Sequence, residues 1–410
     1  MRYLREGYKK TEVGVIPEDW EVGSFKDIIK LRKESFNPLI ENNEKYIGLE
    51  HIEEKTGRLL GIGESEETSS TKNKFYKGDI LFGKLRPYLR KYYIADFNGV
   101  CVTEILPLVS INSNNKFCFY KIQEDKFIEY INNITFGTKM PRTSWNDIKD
   151  YKLAIPPLKE QEKIAEILST VDSQIDDTEK LIEKCKELKK GLMQKLLTKG
   201  IDHSEFKKTE VGEIPVEWEV KPISDVSSTM SGGTPNRSKK HYYINGNISW
   251  VKTGELGDKY IYDTEEKITD LAINESSAKL VPPYSVIIAM YGATIGKSSI
   301  NINEVTTNQA CCSIICDKDI LSYEYLYYYL DFNKDKLIAL GAGGAQPNIS
   351  QQIIRDFKIT VPNVNEQEII IQILSAIDNK VEKEQNKKQK LEELKKGLMQ
   401  QLLTGKIRTV

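Results

Sequence analysis

The sequence has little of what membrane, secreted and metal-binding proteins need. It holds three histidines and six cysteines among 410 residues, and these show neither metal-ligand nor disulfide-framework spacing. No apolar run approaches the roughly 20 residues of a membrane-spanning helix, and the opening MRYLREGYKKTEVG lacks the apolar core of a signal peptide. We therefore expect a cytoplasmic protein with reduced thiols and with no metal or cofactor of its own.

Complete catalytic motifs are also missing. Residues 292–298, GATIGKS, have one residue too few between the glycines for a phosphate-binding loop, and strand-like residues follow them. Residues 281–284, VPPY, resemble the Pro-Pro-Tyr of amino-methyltransferases but lack the Asn, Asp or Ser in front that binds the target amine. The sequence thus predicts no catalytic residues, and it favours a binding protein over an enzyme.

What the sequence does have is a duplication. Residues 159–199 return at 365–405 with an offset of 206, and their ends, ELKKGLMQKLLT and ELKKGLMQQLLT, differ at one position. A second pair of repeats, KKTEVGVIPEDWEV at 9–22 and KKTEVGEIPVEWEV at 207–220, opens each half. The chain is therefore a tandem repeat of opener, variable region and helix.

The two 41-residue repeats read as long helices, each with an apolar seam. Their apolar residues follow the 4–3 spacing of the a and d rows of a coiled coil. The seam is imperfect, because Lys189 and Lys395 occupy equivalent seam positions and Gly191 and Gly397 lie inside the helices. These are either tolerated defects or, for the glycines, places of close helix approach. The predicted seam consists of Ile164, Leu168, Val171, Ile175, Ile182, Cys185, Leu192, Leu196, Ile370, Leu374, Ile377, Val381, Leu391, Leu398 and Leu402.

The variable regions, about 23–150 and about 221–356, read as two similar modules of mixed α/β structure. Short β-branched runs separated by Gly, Asn and Asp predict strands in both, and landmarks such as KGDILF and PYSVII recur at the same 206-residue offset. We therefore divide the chain into four segments. These are a first module (1–158), a central helix (159–200), a second module (201–364) and a C-terminal helix (365–410).

The charges are balanced overall but clustered locally. The net charge of −1 excludes a general polycation, yet residues 72–91 carry seven basic residues against one acid, with aromatic residues between them. Such a stretch is typical of phosphate contacts; the alternative is a solvated basic strand face. A weaker basic stretch, NRSKKHYY at 236–243, is either a second contact or a plain surface loop.

Polar residues in the loops before each long helix are suited to reading base edges, although such residues also cap helices. The candidate nucleic-acid contacts in the two modules are Lys72, Lys74, Lys84, Arg86, Tyr88, Arg90, Lys91, Thr138, Lys139, Arg142, Arg237, Lys239, Lys240, Lys252, Tyr291, Lys297, Gln346 and Asn348.

Several phrases, in this order and at this spacing, resemble the specificity subunits of Type I restriction–modification systems. They are the two openers, IPPLKEQEKIAEIL and VPNVNEQEIIIQIL, GKLRPYLRKYY, GTKMPRTSW, SGGTP, AMYGATIGK, TNQA and the ELKKGLMQ repeats. The resemblance spans essentially the whole chain. One departure is PNVNEQE, where the family usually has a Pro-Pro-Leu-x-Glu-Gln run.

The resemblance implies a mixed α+β protein with two target recognition domains, each reading one half of a bipartite site in double-stranded DNA. It implies that the two helices pack antiparallel as a coiled coil and set the spacer. It also implies two docked modification subunits that methylate adenine, and restriction subunits in the full complex. Two other hypotheses stay open: a structural coiled-coil adaptor with two globular heads, and a self-sufficient nuclease or methyltransferase.

Overall fold

The structure, a computed structural model, describes residues 5–67, 69–135, 140–341 and 348–409. The chain forms two compact units, one of Met1–Lys180 with Gln385–Val410 and one of Leu181–Glu384. The boundary between them falls inside both long helices, so each unit holds one module, the first part of one helix and the last part of the other. This grouping differs from the four consecutive segments expected from the sequence, which remain a prediction.

Up to the end of the first long helix, the chain forms mostly short strands, with a few short helices before and after them. These elements are β1 (Tyr8–Thr11), β2 (Gly14–Pro17), β3 (Glu21–Ser24), α1 (Phe25–Ile28), β4 (Ile29–Leu31), β5 (Ser35–Phe36), β6 (Lys45–Ile47), β7 (Gly63–Glu64), β8 (Lys72–Phe75), β9 (Ile80–Gly83), β10 (Tyr92–Ile94), β11 (Gly99–Cys101), β12 (Ile105–Ser110), α2 (Asn115–Gln123), α3 (Asp125–Ile134), α4 (Trp145–Ile148), β13 (Lys152–Ile155) and α5 (Leu158–Leu196).

The second half follows a similar order, with one additional short helix and with differences among the shortest strands. Its elements are β14 (Phe206–Thr209), β15 (Gly212–Pro215), β16 (Glu219–Pro222), α6 (Ile223–Val226), β17 (Ser227–Ser231), β18 (Ile248–Val251), β19 (Tyr260–Ile261), β20 (Lys267–Ile268), α7 (Asp270–Asn274), β21 (Leu280–Val281), β22 (Val286–Ala289), β23 (Ser298–Asn301), β24 (Val305–Thr307), β25 (Cys311–Cys316), α8 (Tyr323–Phe332), α9 (Lys334–Ala339), α10 (Gln351–Asp356), β26 (Lys358–Val361) and α11 (Val364–Leu402).

The two modules share a sheet topology. In the first, one sheet has the strand order β10-β9-β12-β4 and another the order β5-β8-β11-β6-β7. In the second, β23-β22-β25-β17 matches the first of these sheets, with β19 added at the edge, and β21-β24-β18-β20 matches the other. The prediction of two similar modules of mixed α and β structure is therefore confirmed.

The central strands of the matching sheets explain the short apolar runs in the sequence. Every residue of β9 and of β22 is buried, because each strand has a neighbour on both edges and packs in the module core on both faces. Strands covered on both faces read as continuous apolar runs rather than as alternating ones. The six cysteines are all free thiols.

The long helices α5 and α11 each run for 39 residues. Every residue of the predicted seam is buried or half-buried. In the first unit, Asp172 pairs with Lys395 at 2.7 Å and Glu179 with Lys388 at 2.7 Å. From the first pair to the second, the residue number rises by seven on α5 and falls by seven on α11. The two helix segments therefore run antiparallel.

These ion pairs account for the two lysines among the apparent defects in the seam. In the second unit, Lys189 on α5 pairs with Asp378 on α11 at 2.6 Å, as Lys395 does with Asp172 in the first. The seam lysines are therefore paired rather than merely tolerated. The glycines have a different status, because a Cβ atom placed on Gly191 or Gly397 meets no atom of the described residues within 4 Å apart from the adjacent backbone of its own helix. Close approach of α5 and α11 does not account for them.

A buried glutamate near the start of each long helix ties three segments together. Glu160 on α5 is 1% exposed; it accepts hydrogen bonds from the indole N–H of Trp20 at 2.8 Å and from Arg408, beyond the end of α11, at 2.8 Å. Glu366 on α11 does the same in the second unit. It accepts from Trp218 at 2.9 Å and from the backbone N–H of Ile201, beyond the end of α5, at 3.0 Å.

In the first unit, the start of β1 and a segment after α11 lie side by side, at the place where the second unit has continuous chain. The Tyr8 hydroxyl donates to the carbonyl of Gly405 at 2.9 Å, whereas in the second unit Gly200 leads directly to β14. No helix in the described part of the chain is both long and apolar enough to cross a membrane.

We expect Glu160→Ala to lower the free energy of unfolding by about 2–3 kcal/mol, because it leaves the buried Trp20 N–H without a partner. Urea unfolding measures the effect. Glu162→Ala removes an exposed carboxylate from the same helical turn and serves as the control. Equal urea midpoints for the two variants would show that the glutamate does not hold these segments together.

Candidate nucleic-acid interface

Backbone hydrogen bonds bring the two predicted contact stretches of the first module together. The N–H of Arg86 donates to the carbonyl of Pro141 at 2.8 Å, and the N–H of Thr143 donates to the carbonyl of Lys84 at 2.9 Å. Between them, Leu85 and Arg142 form an isolated β-bridge. The basic stretch after β9 and the loop before α4 are 50 residues apart in sequence, yet they form one edge of the module.

This edge presents cationic and aromatic side chains to solvent. Arg86 and Arg142 are exposed, and Tyr88 is 46% exposed. Within the described ranges, neither Lys84 nor Arg86 has an ion-pair partner. Arg142 is held at 3.2 Å by Glu104, which orients the guanidinium while leaving most of its donors free.

The backbone at this edge is constrained. Arg86 and Arg90, which flank a short 3-10 helix of Pro87–Leu89, have φ values of 51° and 55°. Non-glycine residues seldom adopt this left-handed region, and each such residue costs on the order of 1–3 kcal/mol. Backbone hydrogen bonds such as that from Arg86 to Pro141 hold the turn, so the backbone from which the Arg86 side chain extends is fixed.

The other two basic residues of this turn are already engaged. The guanidinium of Arg90 pairs with Asp125 at 2.7 Å, and the ammonium of Lys91 donates to the carbonyl of Leu49 at 2.8 Å. A phosphate would have to compete with these partners.

Lys72 is a correction to the predicted set. It is 1% exposed, its ammonium donates to Ser70, and burial lowers its pKa. A side chain enclosed in this way cannot reach a phosphate. Lys74 is half-buried and paired with Glu41. Charge counting along β8 overestimated the basic surface, because Lys72 is buried and Lys74, two residues further on the same face, is paired with an acid.

The second module has two of the same backbone hydrogen bonds at the 206-residue offset, and we call these two bonds the frame. The N–H of Ile349 donates to the carbonyl of Met290 at 2.8 Å, which matches the Thr143–Lys84 bond. The N–H of Ala289 donates to the carbonyl of Lys297 at 2.9 Å, which matches the bond from Gly83 to Lys91 at 2.8 Å. The frame places Tyr291 and Asn348 at this edge, as Leu85 and Arg142 are placed in the first module.

The side chains on this frame differ between the modules. Lys84 and Arg86 of the first module correspond to Met290 and Gly292 of the second. Lys297 and Asn348 are exposed, and Tyr291 is half-buried. The second edge is therefore less basic and relies more on neutral polar groups.

The remaining basic residues predicted in the second module are mostly neutralised by acids. Arg237 lies over the rings of Tyr243 and Trp250, each with its centroid 4.7 Å away, and bonds Glu266 at 2.5 Å. That bond lowers the pKa of the Glu266 carboxyl. Lys252 pairs with Glu265 at 2.9 Å and with Glu266 at 3.0 Å, so two carboxylates balance the charges of these two predicted cations.

Two further lysines lie beside this group. Lys239 donates to the Tyr242 hydroxyl at 2.6 Å and lies 3.5 Å from Glu275. Lys240 is exposed and has no ion-pair partner in the part of the chain that the structure describes. Of the NRSKKHYY stretch, Lys240 is thus the cation most available to a phosphate.

Three predicted contacts, Thr138, Lys139 and Gln346, lie outside the described residues. Sequence reasoning also missed residues that matter here, namely Glu104, which orients Arg142, and Glu266, which pairs with both Arg237 and Lys252. No sequence signal pointed to them, since each lies between 14 and 38 residues from the cation it binds.

The comparisons with known proteins agree with this arrangement. The family model of the Type I restriction modification DNA specificity domain matches twice, at residues 17–187 and 215–393. The putative type I restriction enzyme MjaX specificity subunit of Methanocaldococcus jannaschii is 30% identical, over 99% of this chain and 98% of that protein. The MjaIX specificity subunit of the same organism is 32% identical, over 98% and 96%.

A solved structure has a similar fold. The S subunit of the Type-I restriction-modification system from M. genitalium aligns with a TM-score of 0.58 at 15% identity, over 94% of this chain and 96% of that one.

We expect Arg86→Ala to weaken binding to every duplex and to reduce the slope of log affinity against log salt by about 0.9, the value for one lost phosphate contact. Arg90→Ala, which removes an ion-paired arginine one turn away, should change the slope less. Fluorescence anisotropy across a salt series measures both. If the slope of Arg86→Ala equals that of the wild type, this edge is a solvated surface without DNA contact.

Proposed function

The chain belongs to the family of Type I restriction–modification DNA specificity subunits, and from this we propose that its two modules read the two halves of one bipartite DNA site. The observation that carries the proposal is the repeated frame: the same backbone hydrogen bonds in both modules present different side chains. A shared frame with different side chains is what two readers of different sequences require.

Within each half-site, two kinds of contact divide the work. Lys84 and Arg86 in the first module, and Lys240 and Lys297 in the second, contact phosphates and so position the protein without reading sequence. Arg142 and Asn348 occupy equivalent places on the frame, and they read bases. Arginine pairs best with guanine and asparagine with adenine in the major groove.

Catalysis belongs to the partners. The chain docks two modification subunits, which bind S-adenosylmethionine and methylate adenine, and restriction subunits join to form the endonuclease. The curated relatives are described as specificity subunits of type I restriction enzymes, and this supports the assignment. The complex works in the cytoplasm, where its DNA is.

The two long helices set the spacer between the half-sites. The antiparallel pairs of α5 with α11 within each unit support this role, because they fix where each module attaches along the helices. The rise of about 1.5 Å per residue then converts helix length into distance along the DNA.

The test of this function is to express the chain with its modification subunits and to map methylated adenines. The wild type should give one bipartite motif with a constant spacer. Arg142→Ala should relax the preference at one half-site by about 1–3 kcal/mol per base pair and leave the other half-site unchanged. Asn348→Ala should do the reverse, so each variant is the control for the other.

Loss of preference at both half-sites in either variant would contradict independent reading. A single continuous motif, or no methylation in the presence of the partner, would contradict the function itself.

We expect a longer helix pair to lengthen the spacer. Four residues inserted after Lys180 and four after Asn386 lie beside the Glu179–Lys388 pair and extend both helices at one level. They add about 6 Å, which is close to two base pairs at roughly 3.4 Å each. A four-residue insertion unwinds a coiled coil only locally, so the variant should fold.

Methylation mapping of this variant should return the same half-sites with a spacer longer by about one or two base pairs. Four residues inserted after Gly61, in a loop of the first module, are the control and should leave the spacer unchanged. An unchanged spacer in the folded helix variant would mean that the helices only dock partners.

A further inference from the structure

Each unit contains one polar cluster that joins its module to both helices. In the first unit, the hydroxyl of Tyr120 on α2 donates to Asp172 on α5 at 2.7 Å. The other oxygen of Asp172 accepts from Lys395 on α11, also at 2.7 Å. The Lys395 ammonium lies 5.8 Å from the centroid of the Tyr120 ring. Module, starting helix and ending helix thus meet at one carboxylate.

The second unit repeats the cluster with different chain segments. The hydroxyl of Tyr328 on α8 donates to Asp378 on α11 at 2.7 Å, and Asp378 accepts from Lys189 on α5 at 2.6 Å. The ammonium lies 5.4 Å from the Tyr328 ring. We call the two clusters Tyr120–Asp172–Lys395 and Tyr328–Asp378–Lys189 the triads.

Packing alone does not require the triads. Apolar residues at the seam positions of Lys189 and Lys395 would bury more apolar surface, and ion pairs that are partly exposed, as these are, contribute little to stability. A polar group at a seam position instead restricts the alignment of helices, because any other register leaves it unpaired. Burial raises the pKa of Tyr120 and of Tyr328, so both hydroxyls remain donors.

The tyrosines extend this restriction from the helices to the modules. Tyr120 is 2% exposed and Tyr328 is fully buried, and each hydroxyl has the helix aspartate as an acceptor. A module that slid along its helices by one turn, about 5.4 Å, would lose this bond. The displacement on DNA would be between one and two base pairs at roughly 3.4 Å each.

The first unit has a second link of the same kind. Arg58 of the first module pairs with both Asp176 and Glu179 on α5, and Glu179 also pairs with Lys388 on α11. The second unit has Lys259, which donates to Tyr328 and Ser375 at 3.0 Å each. Each link lies near the triad of its own unit. The Arg58 link joins the first module to α5, and the Lys259 link joins the second module to α11.

We propose that the triads are positioning residues for DNA reading: they fix each module at one place on its helix pair and thereby make the protein reject sites with a wrong spacer. The proposal rests on the function proposed above. It assigns to Tyr120 and Tyr328 a part in specificity, although neither side chain touches DNA.

The test uses the protein assembled with its modification subunits and the variant Tyr120→Phe/Tyr328→Phe, which removes two hydroxyls and no ring. Duplexes carry the mapped half-sites with the native spacer or with one base pair more or fewer. We call the affinity for the native spacer divided by the affinity for an altered spacer the spacer ratio. It should fall by about five- to tenfold, which corresponds to the free energy of a hydrogen bond. The ratio for a single-base change within a half-site should stay constant.

Matched controls come from other buried tyrosines. Tyr92 donates to Lys55 within the first module at 2.8 Å, and Tyr325 bonds Thr360 in the second at 3.1 Å; neither hydroxyl reaches a helix aspartate. Tyr92→Phe/Tyr325→Phe should keep the wild-type spacer ratio. A third variant, Lys189→Arg/Lys395→Arg, preserves the charge and should keep the ratio as well.

An unchanged spacer ratio in Tyr120→Phe/Tyr328→Phe would overturn the proposal, and so would an equal fall of the spacer and single-base ratios, which indicates general loosening. If the tyrosine variant does not fold, a second variant is Asp172→Asn/Asp378→Asn, which keeps an acceptor for each tyrosine but removes the ion pair. This variant should also lower the spacer ratio, and an unchanged ratio would overturn the proposal. A wild type that shows no half-site preference would instead refute the proposed function.

Discussion

The pairing of the first part of one long helix with the last part of the other is the constraint on which the rest of the protein depends. Apolar residues such as Ile164 and Leu168 on α5 are buried with Leu402 at the end of α11, with the following Leu403 and with the core of the first module. The seam therefore belongs to the core of each unit, rather than being a separate rod. Whatever fixes the helices also fixes the surface that each module presents.

Polar groups supply the directionality that apolar packing lacks. Hydrophobic burial is non-directional, so a seam of Ile, Leu and Val tolerates small shifts. The buried glutamates Glu160 and Glu366 bind side chains and backbone from segments far away in sequence, and the triads bind module and helices. Each such group has few acceptable partners, because an unpaired buried polar atom costs on the order of 1–3 kcal/mol.

The repeats made much of this predictable from sequence. A long helix was predicted at 159–199 and observed at Leu158–Leu196. Aligning the two halves at the 206-residue offset gave Arg142 and Asn348 as equivalent positions in the two modules. Charge counting failed where partners are distant: Glu266 lies 29 residues from Arg237, and the burial of Lys72 follows from a sheet that joins five separate strands. The local sequence pattern predicts the apolar faces of helices and the positions of buried strands, whereas ion pairs form between residues that only the tertiary fold brings together.

The composition of the units has a consequence for the order in which the protein is made. The second unit is one continuous stretch, Leu181–Glu384, whereas the first begins the chain and is closed by Gln385–Val410. During synthesis, the whole second unit is therefore made before the C-terminal segment that completes the first unit, in which Leu402 and Leu403 are buried with Ile164 and Leu168. The module synthesised first is therefore completed last, and until then Ile164 and Leu168 lack the cover that Leu402 and Leu403 give them.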